Sequence, residues 1–247
     1  MPAVQMPYAN NCLLPECHHP LKSAFYLMSD SRALTYTNTQ FLLSAAKLSQ
    51  CPTHLLREVA FAGRSNAGKS SALNTLTGNK KLARTSKTPG RTQLINFFQI
   101  GDAPLALVDL PGYGFAKVPV AKKNEWQKEL GNYLENRDCL TGLVLLMDIR
   151  HPLKEFDLAM LEWAEQDQMP VHILLTKSDK LKRGPAQSAL LQVKKVVKDF
   201  DTQISVQTFS SHNGDGLKIL QNQLTAWLLP DDETETAEEF GGIEPES

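Results

Sequence analysis

The segment Gly63-Arg64-Ser65-Asn66-Ala67-Gly68-Lys69-Ser70 constrains this chain more than any other. It follows a short apolar run, Val59-Ala60-Phe61-Ala62, and leads into a helix-compatible stretch from Lys69 to Thr77. A G-x-x-x-x-G-K-[ST] pattern between a strand and a helix turns backbone N–H groups onto phosphate oxygens. The glycines permit the dihedrals and the close approach, and the helix adds its positive N-terminal end. In such a cradle Lys69 neutralises β- and γ-phosphates and the Ser70 hydroxyl ligates Mg²⁺. The plain alternative is a glycine-rich β-to-α turn that holds nothing.

The rest of the chain alternates in the same way. Gln93 to Ile100 and Leu105 to Leu110 are β-rich runs separated by Gly101-Asp102-Ala103-Pro104, which predicts an antiparallel hairpin on an otherwise parallel sheet. Leu143 to Met147 and Val171 to Leu175 are continuous apolar runs, as expected of strands covered on both faces, and Ile204 to Phe209 closes the series. Between them, 121–136, 154–166, 187–200 and 217–228 carry apolar residues at three- and four-residue spacing, which predicts helices. The fold class expected is α/β, with helices on both faces of a mostly parallel sheet.

Three strand ends carry further chemistry. Asp109-Leu110-Pro111-Gly112 follows an apolar strand, so Asp109 can hold Mg²⁺ through water and the Gly112 amide can meet a γ-phosphate. Thr176-Lys177-Ser178-Asp179 closes the strand Val171 to Leu175. A carboxylate accepts two hydrogen bonds side by side, which suits the N1–H and N2 amino donors of guanine and clashes with the acceptor that adenine offers at N1. Asp179 is thus the candidate guanine reader, Lys177 the residue whose stem lies along the base, and Thr176 a brace to the glycine loop. Phe209-Ser210-Ser211 ends the last strand, where a backbone N–H can reach guanine O6. The bland readings are a turn at Asp109, a helix N-cap at Asp179 and an ordinary serine-rich strand end.

Composition bounds the remainder. Of 247 residues, 42% are hydrophobic and 21% charged, near globular averages. No apolar run approaches the roughly 18 residues that span a bilayer, and the first residues lack a basic-then-apolar leader, so a soluble cytoplasmic protein is expected. Four scattered cysteines suit a reducing compartment. Cys12, Cys17, His18 and His19 have no second ligand pair at zinc-finger spacing, and a zinc site is not expected. Residues 1–50, broken by early prolines, read as a partly irregular extension in which Phe41 to Ala46 can dock as a strand or short helix; 51–230 read as the folded domain. Residues 231–247 hold eight acids and no Lys or Arg, an expected disordered tail. The other 230 residues then hold 26 basic and 19 acidic side chains, a net of +7, which can contact a polyanion or merely solubilise.

The order of glycine loop, D-x-x-G, T-K-x-D and terminal serines resembles the translation-factor-related GTPases. Three longer segments narrow this: 58–71, Thr85-Ser86-Lys87-Thr88-Pro89-Gly90-Arg91-Thr92-Gln93, and Asp109 to Ala116. Together they resemble the EngB/YihA/YsxC family of bacterial ribosome-biogenesis GTP-binding proteins, among the TrmE-Era-EngA-YihA-like P-loop GTPases. The resemblance covers about residues 40 to 230. It implies a three-layer P-loop NTPase G domain with a six-stranded sheet, GTP/GDP as bound nucleotide and Mg²⁺ as cofactor. It also implies that Gly90, Arg91, Thr92, Gln93 and Leu94 form the second nucleotide-contact element, with Thr92 as the switch threonine on Mg²⁺ and Thr88 its competitor. The role implied is assembly of the large (50S) ribosomal subunit, with a link to division septation. The expected partner is a precursor of that subunit, its rRNA and ribosomal proteins; neither DNA nor membrane is expected, and the chain is expected to be a monomer.

Tyr113 stands where Ras-like enzymes carry the glutamine that orients water, so intrinsic hydrolysis is expected to be slow. Asn66 resembles the asparagine through which some related GTPases bind K⁺, which can stabilise transition-state charge. Lys80, Lys81, Arg84, Lys87 and Arg91, then Lys117, Lys122 and Lys123, flank the expected γ-phosphate position and could read rRNA phosphates in a nucleotide-dependent way; Lys180, Lys182, Arg183 and Lys194, Lys195, Lys198 are secondary candidates. A GTP-gated scaffold with negligible hydrolysis and a P-loop metabolite kinase are the competing readings, the latter leaving Thr176 to Asp179 unexplained.

Overall fold

Strands that are apolar on both faces need cover on both faces, and the richest such runs become the middle of the sheet. The computed structural model describes residues 34–83, 94–112 and 129–229, all within the unit that begins at Leu34. Its strands are β1 (Thr39–Ala45), β2 (Arg57–Gly63), β3 (Ile95–Ile100), β4 (Leu105–Asp109), β5 (Leu140–Asp148), β6 (Val171–Thr176) and β7 (Ile204–Thr208). The helices are α1 (Lys69–Thr77), α2 (described over 129–136), α3 (Glu155–Gln166), α4 (Arg183–Val197) and α5 (Leu217–Leu228). One seven-stranded sheet runs β1-β3-β4-β2-β5-β6-β7. Every pairing is parallel except those of β3, which runs antiparallel to both β1 and β4.

The sheet has seven strands where six were expected. The additional one is β1, which lies on the outer side of β3, so the predicted β3–β4 hairpin is present but does not form the edge. Left bare, β3 would offer a row of unpaired backbone groups beside Phe98. Instead Phe41 of β1 packs edge-on against Phe98, with ring centroids 5.9 Å apart. The turn before β1 is anchored to the last helix: the buried Tyr36 hydroxyl lies 3.1 Å from Thr225 Oγ1 on α5. Burial raises the Tyr36 phenol to about 12.

Helix ends follow local chemistry. α1 is bounded by Gly68 (φ 102°) and Gly78 (φ 65°), both left-handed. α4 begins at Arg183, four residues before the sequence pattern predicted, because Pro185 falls in the first turn, where its missing N–H leaves no hydrogen bond unmade. α3 starts with the Asp157 carboxylate accepting from the Lys154 N–H at 2.9 Å.

At the N-terminal end of β2 a charge is fully enclosed. Glu58 accepts from Arg137 Nε and Nη2, each at 2.9 Å, and from the Tyr133 hydroxyl at 2.5 Å. Arg137 also donates to the Pro52 carbonyl at 2.7 Å and lies over the Phe97 ring. This cluster fastens the end of α2 to the base of the sheet. At the opposite, C-terminal edge, β4, β2, β5, β6 and β7 all finish together. Chain order reverses around β2, whose neighbours are β4 and β5, and the crevice at such a reversal is where open α/β sheets receive ligands.

Candidate functional site

The glycine loop leaves β2 at this reversal. Gly63 has φ 155°, and a Cβ there would stand 2.6 Å from the Leu146 carbonyl oxygen of β5, so only glycine passes. The loop then turns through Asn66, itself left-handed at φ 66°, with the Ala67 N–H bonded to the Arg64 carbonyl at 2.9 Å. Lys69 and Ser70 open α1. The Lys69 ammonium folds back and donates to the Gly63 carbonyl at 3.2 Å.

Asp109 is the last residue of β4, in register with Phe61. Its Oδ1 is buried and has no hydrogen-bond partner among the described residues. Burial pushes the carboxyl up to about 6, against the pull of the Lys69 ammonium. The same burial lowers Lys69, and Asp109 opposes that. Leu110 and Pro111 are buried, and the Leu110 N–H continues the strand pairing to the Phe61 carbonyl at 3.0 Å. Gly112 then returns against the loop: a Cβ there would lie 3.1 Å from Lys69 Nζ and 3.2 Å from Ser65 N. The orphaned buried carboxylate oxygen of Asp109 and the half-buried Ser70 hydroxyl are hard oxygen donors beside a phosphate cradle, a pair that fits Mg²⁺, while the Lys69 ammonium suits phosphate oxygens.

The base side is built from the ends of β6 and β7. Thr176 Oγ1 lies 2.6 Å from the Ala67 carbonyl and 3.1 Å from the Met147 carbonyl, tying β6 to the glycine loop and to β5. Lys177 is left-handed (φ 59°), and its ammonium reaches the Asn66 carbonyl at 2.8 Å and Asp148 Oδ2 at 2.9 Å. The Ser178 N–H donates to the Phe209 carbonyl at 3.2 Å. Asp179 takes the Ser210 hydroxyl at 2.8 Å on Oδ1 and the exposed Lys180 ammonium at 2.9 Å on Oδ2, contacts that hold its carboxyl below the usual range.

At the serine end two of the three backbone N–H groups are already committed within the fold. The Phe209 N–H is bonded to the Leu175 carbonyl at 2.9 Å and the Ser210 N–H to the Asp215 carbonyl at 3.1 Å. Among Phe209, Ser210 and Ser211, that leaves the Ser211 amide for a ligand, while Ser210 acts through its hydroxyl on Asp179. Of the second nucleotide-contact element only Leu94 is described, 40% exposed at the mouth of β3. Gly90, Arg91, Thr92, Gln93 and the competitor Thr88 lie outside the described residues, as do Tyr113, Arg84, Lys87, Lys117, Lys122 and Lys123. Sequence reasoning passed over Asp148 and Arg150. Their signal is visible only after register is known, since Asp148 stands opposite Thr176 at the end of β5.

A glycine loop at the reversal of a parallel sheet, faced by a buried Asp and a T-K-x-D strand end, defines a P-loop GTPase of the G-domain type. Comparisons agree. Residues 58–177 match the 50S ribosome-binding GTPase family model. The chain is 55% identical over 195 residues to the "Probable GTP-binding protein EngB" of Vibrio parahaemolyticus serotype O3:K6 (strain RIMD 2210633), covering 79% of this chain and 89% of that one. It is 52% identical over 200 residues to the protein of the same description from Aeromonas salmonicida (strain A449), covering 81% and 92%. A crystal structure of a probable GTP-binding protein engB shares the fold, with a TM-score of 0.54 at 23% identity over 68% of this chain and 98% of that one. The chain belongs to the EngB family of GTP-binding proteins, which are GTPases.

Proposed function

We propose that the chain is a Mg²⁺-dependent GTPase that serves as a slow switch in assembly of the large ribosomal subunit, with an associated effect on septation. The observation that carries the chemical part is the convergence of Lys69, Asp109 and Gly112 around one glycine loop, with Asp179 presented on the neighbouring strand end. In this reading the amides of Gly63 to Ser70 cradle the phosphates, Lys69 leaves the Gly63 carbonyl for the β- and γ-oxygens, and Asp179 selects guanine. Ser70 and Thr92 would ligate Mg²⁺, with Asp109 holding it through water; when bound, the ion supplies charge neutralisation between β- and γ-phosphates. Gly112 would offer its amide to the γ-phosphate, and water is the nucleophile.

The family description as 50S ribosome-binding supports the partner. So does the exposed face of α4, where Arg183, Lys194 and Lys195, with Lys182 just before and Lys198 just after the helix, have no ion-pair partner among the described residues. No described helix is long and apolar enough to cross a membrane. The test is co-sedimentation with large-subunit precursors in GTP and in GDP, together with single-turnover hydrolysis with and without the particles. Nucleotide-dependent binding and faster turnover are expected. Binding that ignores both nucleotide and salt would remove the switch. Hydrolysis that stays negligible with particles present would favour the scaffold reading, to which the missing glutamine at Tyr113 lends weight.

A further inference from the structure

The carboxylate of Asp148 lies outside every motif, yet its surroundings are those of a functional group. It closes β5 directly opposite Thr176, one residue before the lysine of the T-K-x-D element. Its plane is fixed by Arg150, whose backbone N–H and Nε donate to Oδ1 at 3.1 and 2.9 Å and whose Nη2 donates to Oδ2 at 2.6 Å. Oδ2 also takes the Lys177 ammonium at 2.9 Å. That ammonium in turn donates to the Asn66 carbonyl at 2.8 Å. Lys177 and Asn66 both have left-handed backbones, at φ 59° and 66°. One ammonium therefore joins the end of β5 to two turns that must keep unusual dihedrals if the base and phosphate subsites are to stay in place.

We infer that Asp148 is a positioning residue for guanine nucleotide binding: through Lys177 it holds the base-side loop against the glycine loop. This rests on reading the pocket as a guanine nucleotide site. A lysine stem has four rotatable carbons, and a single carbonyl acceptor does not fix it. A second, charged acceptor with its own orientation locked by an arginine fork does. The carboxylate also offsets the Lys177 charge, so the ammonium can stay at the loop instead of extending to solvent. Asp148 touches neither Asp179 nor Lys69, so it should act on affinity alone, with base choice and phosphate discrimination unchanged.

The experiment measures GDP and GTP-analogue affinities by fluorescence titration for the full chain carrying Asp148→Ala, Asp148→Asn, Lys177→Met, and Asp148→Ala with Lys177→Met. Asp148→Ala is expected to weaken GDP and the GTP analogue by the same factor, on the order of 5- to 20-fold for a charge-assisted contact that is partly exposed. Asp148→Asn should recover part of the loss, since its amide oxygen can still accept from Lys177. Preference for guanine over xanthine nucleotides should stay where it is in the wild type. In the Lys177→Met background the Asp148→Ala change should cost less than twofold further. Full additivity in the double variant, unchanged affinity in Asp148→Ala, or an affinity loss matched by loss of the ligand-free melting transition would each overturn the inference. Wild-type protein that binds neither nucleotide would overturn the pocket reading itself, a result distinguishable from all of these.

Discussion

Arg137→Met should be among the most damaging substitutions outside the nucleotide pocket. Glu58 has no exposed side-chain surface, and Arg137 has only 11%. Three of the donors on that carboxylate are Arg137 Nε, Arg137 Nη2 and the Tyr133 hydroxyl, so removing the arginine strips two of them and leaves a negative charge enclosed. Breaking a buried pair by deleting one partner costs about 3–5 kcal/mol. A chain of this size loses about 2–4 °C in Tm per kcal/mol, so a fall on the order of 6–20 °C is expected. Glu58→Gln with Arg137→Met removes the charge together with its partner and should recover part of that loss, giving a coupling energy above about 1 kcal/mol in a double-mutant cycle. Calorimetric melting of the four proteins measures it. Glu58 stands five residues before Gly63, about 17 Å along a strand, so nucleotide affinity of the folded variant should be nearly unchanged. A Tm drop under 2 °C for Arg137→Met would refute the reasoning, because it would mean that the enclosed carboxylate does not need the arginine.

Asp179→Asn exchanges an acceptor for an amide donor and should move preference from guanine towards xanthine nucleotides; competition titration reads it, and undiminished GTP affinity would mean that Asp179 does not read the base. Gly63→Ala places a methyl 2.6 Å from the Leu146 carbonyl, which should cost more than about 2 kcal/mol in stability and abolish nucleotide binding; a melting curve like that of the wild type would contradict it. Burial raises Asp109 from 3.8 to about 6, so the ligand-free fold carries a penalty above pH 6 that is relieved as pH falls towards 4. Stability of the wild type relative to Asp109→Asn should accordingly rise over that window, by up to on the order of 3 kcal/mol, whereas Mg²⁺-dependent nucleotide binding should weaken below pH 6. A stability difference independent of pH between the two proteins would exclude this. If Asn66 helps to hold K⁺, GTP turnover should be faster in K⁺ than in Na⁺ and Asn66→Ala should erase the difference; equal wild-type rates in both salts count against that role.

The sequence was most legible where one local rule acts alone. Lys69–Thr77 and Leu217–Leu228 are helices with the bounds that the periodicity predicts, and the strands around Phe61, Leu145 and Ile173 need only their apolar runs. It was least legible where a neighbour decides. Phe41 to Ala45 alternates poorly, because the strand carries a register shift between Phe41 and Leu43, so only β3 beside it makes it a strand. Glu58 reads as the polar start of a strand and becomes enclosed only because Arg137, 79 residues on, folds over it. At the site, the glycine loop, Asp109 and Thr176 to Asp179 announce themselves by spacing. The Ser210 hydroxyl on Asp179 and the Asp148 carboxylate on Lys177 depend on which strand ends become neighbours, information that no short motif carries.

The outermost rib of the sheet bears on how the molecule can be trimmed. Everything with recognisable chemistry begins after residue 57, and a shortened chain starting near residue 50 would keep every motif. It would also unseat Tyr36 from α5 and uncover the flank of β3 along Ile95 to Ile100. Such a fragment would be intact in its chemistry and adhesive at its border, prone to recruit a second copy of itself as the missing rib.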